Sequence, residues 1–192
     1  MGRRASTRRK NPPQIHVYTE GETEIIYWNC LKSLVGTVDG KKLVVKSLRK
    51  QGLDLFYHVR NRYQNHDFKN SPVEICILVD KDDTPNADLL KLENLCKQEG
   101  YDFYCSNECF ELWLLSHYRS ITASMSRRQL YGALEKEIGR GYCKTDKRYI
   151  EKIVTSFRKA IENSGHYTTK TFIQNPYTNM GQLLRRFFRV VE

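Results

Sequence analysis

The chain has 192 residues, 40% of them apolar and 28% charged, with no uninterrupted apolar run of membrane-spanning length, which excludes a disordered chain and a transmembrane one. Lys and Arg number 32 against 22 acids, a formal charge of +10, which favours a polyanionic partner through counterion release and makes nucleic acid the first candidate.

The opening stretch MGRRASTRRK is basic but lacks the apolar segment of a secretory signal, and residues 1–13 read as a flexible arm ending at Asn11-Pro12-Pro13. Residues 14–19 (QIHVYT) form a first strand, closed by Glu20-Gly21. Residues 22–34 follow as a helix, with Ile25, Ile26, Trp28, Leu31 and Leu34 near helical spacing and acids in the first turn. After a turn at 36–40, residues 42–48 predict a second strand and 53–63 a second helix. Residues 73–79 are almost wholly apolar, the pattern of a strand buried on both faces of a parallel sheet.

Pro85 suits the first turn of a helix over 86–99, with Ala87, Leu89, Leu90, Leu92 and Leu95 as its apolar face and Gly100 as its stop. Residues 101–105 (YDFYC) read as a fourth strand. Beyond Glu108 the periodicity is helical: a helix carrying Glu111, then 126–138, 147–162 and 178–191, with loops at 139–144 and 165–177. The alternation predicts an α/β fold, a Rossmann-like, mainly parallel sheet of about four strands flanked by helices over 14–118. Residues 119–192 form a mainly helical extension packed on it.

The six cysteines show no CxxC pair and read as reduced thiols of a cytoplasmic protein; Cys105, Cys109 and His117 fit no common zinc spacing. The chemistry lies instead in acids at strand ends. ICILVDKDD delivers Asp80, Asp82 and Asp83 to the carboxyl end of a buried strand, where a cation is an economical way to keep a desolvated acid ionised. Glu20 also follows a strand, and Glu20, Asp80 and Asp82 together suit Mg²⁺ or Mn²⁺, which take a few carboxylates and keep several waters. Asp83 or Thr84 reads as a helix cap, as does Ser106 or Asn107 for the helix carrying Glu111, itself a candidate ligand or base.

Arg127, Arg128, Lys147, Arg148, Lys152, Arg158 and Lys159 individually suit a solvated face and collectively a phosphate backbone; His166 is the histidine best placed to take part. Tyr142, Tyr149, Tyr167 and Tyr177 are candidate exposed aromatics for a nucleic-acid or protein partner.

TEGETE after the first strand, LVDKDDTPNADLL at the third, SNECFELWLL after the fourth, and then YCKTD and NPYTN closely resemble the RloB-like family, over most of the chain. The resemblance implies a Toprim-like domain in which Glu20 serves in acid/base chemistry or metal binding and Asp80-Lys81-Asp82 is a DxD pair for Mg²⁺. It also implies an antiphage defence effector nuclease acting on DNA or RNA, associated with an ATPase partner protein; the other reading is a non-catalytic adaptor of such a complex. Lys81, Lys144, Lys147, Arg148, Arg185 and Arg186 are the expected nucleic-acid contacts, and Glu111 joins Glu20, Asp80 and Asp82 as catalytic.

Overall fold

The structure, a computed structural model, describes residues 11–36 and 40–187. Most of the expected basic arm, the centre of the turn at 36–40 and the end of the last helix with Arg189 lie outside the described residues. The first four strands, β1 (Gln14–Thr19), β2 (Lys42–Ser47), β3 (Val73–Asp80) and β4 (Asp102–Asn107), are parallel neighbours in the order β2-β1-β3-β4. Helices α1 (Glu22–Val35), α2 (Gly52–Tyr63) and α3 (Asn86–Glu99) connect them. The first crossover runs to one side of β1 and the later ones to the other, so β1 and β3 flank a topological switch point. Chains leaving two adjacent parallel strands in opposite directions open a crevice at their carboxyl ends, the usual ligand position in an open α/β sheet.

The strand interiors explain the core. Ile15 and Val17 of β1 and Ile75 to Val79 of β3 are buried, and α2 covers them with Leu55, Phe56 and Val59. Two helical faces differ from the spacing-based expectation. α1 buries Thr23, Glu24, Tyr27, Trp28 and Leu31 and leaves Leu34 51% exposed, while α3 buries Leu89, Leu92 and Cys96 and leaves Leu90 41% exposed. The α1 shift follows from where the next layer lies: Tyr27 sits edge-on to Phe110, Trp113 and His117 of the segment after β4.

That segment forms α4 (Glu111–Ser116), followed by α5 (Arg127–Ile138), α6 (Lys147–Val154), α7 (Phe157–Asn163), a 3₁₀ turn (Gly165–Thr169), β5 (Tyr177–Thr178) and α8 (Met180–Phe187). The single helix expected over 147–162 is broken because Thr155 Oγ1 donates to the Lys152 carbonyl (2.7 Å) and Ser156 Oγ to that of Ile153 (3.0 Å), closing the last turn. β5 is a fifth strand not foreseen, antiparallel to β4. Thr178 pairs its hydroxyl with Ser106 (2.9 Å), so the final helix starts at Met180 rather than at 178.

Asn179 extends this edge: its Oδ1 accepts from the Cys105 amide (2.8 Å) and its Nδ2 donates to the Phe103 carbonyl (3.2 Å). Asn179→Ala strips two β4 backbone groups of their partners, and urea denaturation is expected to show a loss of about 2 kcal/mol. No helix among the described residues is long and apolar enough to cross a membrane.

Candidate functional site

At the β1/β3 switch point lies a cavity of about 320 Å³ lined by Glu20, Glu22, Glu24, Asp80, Asp82 and Glu111, together with Lys144 and Thr145. It gathers acids from three connections: Glu20, Glu22 and Glu24 from the β1–α1 junction, Asp80 and Asp82 from the end of β3, and Glu111 from the start of α4.

Glu20 is held by backbone. Its Oε1 accepts from the Gly52 amide (2.6 Å) at the start of α2, and its Oε2 from the Asp80 amide (3.2 Å). The carboxylate thus ties all three central connections together. Burial pushes it up from 4.5 to about 7, with the two amides opposing and the nearby Glu24 and Asp82 charges adding. Gly21 has an ordinary extended backbone; its value is spatial, because a Cβ there would meet Glu24 Oε2 at 2.6 Å. Glycine leaves the room into which the Glu24 carboxylate folds.

Asp80 ends the apolar run, and burial drives its proton affinity well above that of an ordinary carboxyl, with Glu24, Glu20, Asp82 and Glu111 adding repulsion. Glu24 is raised by burial and by Glu111, against its own and Gly21 backbone groups and Lys144. The loop after Asp80 is pinned to β4: Lys81 N donates to the Ser106 carbonyl and Asp82 N to that of Glu108, both at 2.8 Å. Asp82 takes a positive φ of 37°, a turn geometry that Asp tolerates better than most residues, and accepts from Arg127 Nη2 at 2.7 Å. Burial raises Asp82, and Arg127 and Lys144 counter it.

Glu111 is 1% exposed and receives the Tyr142 hydroxyl (3.0 Å) and the Lys144 ammonium (3.4 Å). Partial burial disfavours charge on Lys144, but the Tyr131 hydroxyl and Glu111 outweigh it and hold the ammonium above its usual range. The α4 segment is oriented from below: His117 Nδ1 donates to the Trp113 carbonyl (3.0 Å), leaving Nε2 to accept from Tyr27 (3.0 Å), one turn along α1 from Glu24. Burial keeps this histidine neutral, at about 4.

The structure therefore brings together Glu20, Asp80, Asp82, Glu111 and Lys144, and adds Glu24 and Arg127. Acids at α1's first turn suit the helix dipole; the Glu-Gly-x-x-Glu spacing, with glycine clearing the space, is the signal for Glu24. Arg127, expected singly on a solvated face and collectively at a phosphate backbone, pairs with Asp82, a partner 45 residues away that nothing local betrays.

Other expectations are corrected. Lys81 turns its ammonium to the Thr84 carbonyl (2.6 Å) and does not line the cavity. Lys147 pairs with Glu151 (3.4 Å) and Arg185 donates to the Ile161 carbonyl (3.3 Å), whereas Arg148 stays exposed, as a phosphate contact must, but lines a neighbouring cavity and not the acidic one. The Arg186 side chain lies outside the described residues. Asp83 is fully exposed and caps nothing, since α3 starts at Asn86 with Pro85 at the N-cap position and no side-chain cap. Ser106 and Asn107 do not cap α4: Ser106 bonds Thr178, and Asn107 Nδ2 donates to the Phe172 and Ile173 carbonyls (2.9 and 3.1 Å). His166 joins Ile121 and Ser120 instead of facing the acids. Of the four tyrosines expected at the surface, Tyr149, Tyr167 and Tyr177 are buried and Tyr142 bonds Glu111.

A family model described as RloB-like protein matches residues 15–187. The chain belongs to the RloB-like family. No curated protein matches this RloB-like chain. Among solved structures it is similar to the C-terminal region of the Burkholderia pseudomallei OLD protein, at 16% identity over 90% of this chain and 97% of that one, with a TM-score of 0.39. It is also similar to a sigma-54 interaction domain protein from Enterococcus faecalis, at 13% identity over 84% and 99%, with a TM-score of 0.31.

Proposed function

We propose that this RloB-like chain is a Mg²⁺- or Mn²⁺-dependent phosphodiesterase with a Toprim-like catalytic unit, cutting DNA or RNA as an antiphage defence effector. The observation that carries the reading is the convergence of six carboxylates, Glu20, Glu22, Glu24, Asp80, Asp82 and Glu111, on one cavity at the switch point, against the single lysine among the described residues that lines it. Buried carboxylates with raised proton affinity lack positive charge, and an oxygen-rich donor set suits a hard divalent cation.

Among the described residues, no three acids, histidines or cysteines are gathered in ligating geometry. That is compatible with Mg²⁺, which usually takes one or two direct carboxylates and completes its shell with water and phosphate. Asp80, which has no basic partner among the described residues, and Glu20 are the residues that would hold it, and Asp82 would join by releasing Arg127. The bound cation supplies charge to the scissile phosphate and acidity to a water. Glu20, held by the Gly52 and Asp80 amides, would serve as a ligand or as the group that takes up or returns a water proton, and Lys144 would offset phosphate charge in the same cavity.

Incubating the purified chain with single- and double-stranded DNA and RNA, in Mg²⁺, Mn²⁺ or EDTA, tests this. Cleavage is expected only with a divalent ion, and Glu20→Ala and Asp80→Ala are each expected to reduce it about a thousandfold or more. Cleavage that survives both substitutions overturns the assignment.

A further inference from the structure

Next to the acidic cavity lies a second one, of about 540 Å³, lined by Arg140, Cys143, Thr145, Asp146 and Arg148. Thr145, in the loop between α5 and α6, lines both, so the two adjoin at that residue. Their charges are opposite. The first is an excess of carboxylates, whereas the second carries two guanidinium groups and one carboxylate.

The two arginines are differently prepared. Arg140 is fixed by an ion pair with Asp146, which also caps α6 by accepting from the Tyr149 amide (3.3 Å). Arg148 is exposed, and its guanidinium has no ion pair or side-chain hydrogen bond among the described residues. Lys147 beside it is occupied by Glu151. A fixed guanidinium and a free one in a single cavity, with Thr145 shared with the acidic cavity, form a donor set for a tetrahedral oxyanion, which the planar arginine fork fits well.

Resting on the nuclease reading of the acidic cavity, we infer that the Arg140–Arg148 cavity is a second phosphate subsite. It holds a backbone phosphodiester flanking the scissile one, so that the substrate strand passes from Lys144 over Thr145 to Arg148. The substrate class is therefore an oligonucleotide that places two phosphates at once, and not a mononucleotide. Lys81 and Arg185, engaged with carbonyls elsewhere, take no part.

Cys143 supplies a readout that does not depend on cleavage. It is exposed and lies 3.8 Å from the Thr145 hydroxyl, while Cys30 is half-buried and the other four cysteines are buried. In EDTA, alkylation by N-ethylmaleimide is followed at Cys143 by peptide mass, with a short single-stranded oligonucleotide, a duplex or a nucleoside monophosphate present. At least one oligonucleotide is expected to slow Cys143 alkylation several-fold, and the monophosphate to leave it unchanged.

Arg148→Ala is expected to remove the protection, weaken oligonucleotide binding about tenfold and lower the salt slope of binding, read by fluorescence anisotropy, by about one. Oligonucleotide binding without Cys143 protection, protection undiminished in Arg148→Ala, equal protection by the monophosphate, or no oligonucleotide binding at all overturns the subsite. Divalent-dependent cleavage alongside any of these leaves the nuclease reading standing. Arg148-dependent protection without cleavage under any metal supports the subsite and removes the nuclease reading.

Discussion

Asp80→Asn is expected to melt higher than the unaltered chain in EDTA at pH 8, and to gain nothing when Mg²⁺ is added. Asp80 sits where burial and four other acids all oppose its charge, and its carboxylate has no basic partner among the described residues. Replacing it with the isosteric amide removes an uncompensated buried charge, for a gain on the order of 2 kcal/mol, or about 5 °C at this chain length. Its backbone amide still donates to Glu20, so the junction is preserved.

The gain in stability should accompany a loss of function, the usual exchange at an acidic catalytic centre. Asp82→Asn is the contrasting control, because it weakens the ion pair to Arg127, whose Nε is already buried without a partner. That variant should melt lower. A lower melting temperature for Asp80→Asn would mean that its carboxylate is stabilised by something other than a cation.

The increment in melting temperature produced by Mg²⁺ is expected to be larger at pH 8 than at pH 5.5. In the folded chain Glu20 keeps its proton up to about 7, whereas unfolded it releases it near 4.5. Between these values the folded state binds more protons than the unfolded one, so stability falls as pH rises through the window. Above it the full penalty, on the order of 3 kcal/mol, is present. Asp80 and Glu24 are shifted in the same direction and add to it.

Two buried histidines run the other way. His16 and His117 are lowered by burial to about 4, so they lose stability as pH falls below 6.5. The raw pH profile therefore mixes the two effects, and the Mg²⁺ increment separates them, because the carboxylates line the cavity and neither histidine does. Scanning fluorimetry with and without Mg²⁺ at each pH reads it. An increment that grows toward pH 5.5 would contradict the metal-binding role of these acids.

What was legible beforehand were features whose cause is local. β1 and α3 fall at the bounds read from alternation, Pro85 and Gly100, and Asp80 was recognisable because an acid ending a buried apolar strand has few comfortable environments. Glu20 was recognisable for the same reason, one residue beyond β1. The features that escaped depend on pairings across the chain. β5 is two residues long and exists only because β4 offers it an edge. Asn107 looks like a helix cap in isolation, but its amide is taken by carbonyls 65 and 66 residues further on. Arg127 became part of the site because the turn at Asp82 is held toward α5, and Tyr142 because the loop after α5 folds over Glu111. Spacing alone could not distinguish the buried face of α1 from its neighbour, since Ile25, Ile26 and Leu34 are as apolar as the residues that α4 covers.

The central claim is that these carboxylates bind a divalent cation through Asp80 and Glu20. Isothermal titration of Mn²⁺ and Mg²⁺ into the metal-free chain at pH 7.5 tests it most directly. Saturable binding that is lost in Asp80→Asn and strongly weakened in Glu20→Gln is the predicted result; no binding by the unaltered chain, or binding unchanged in both variants, would contradict it.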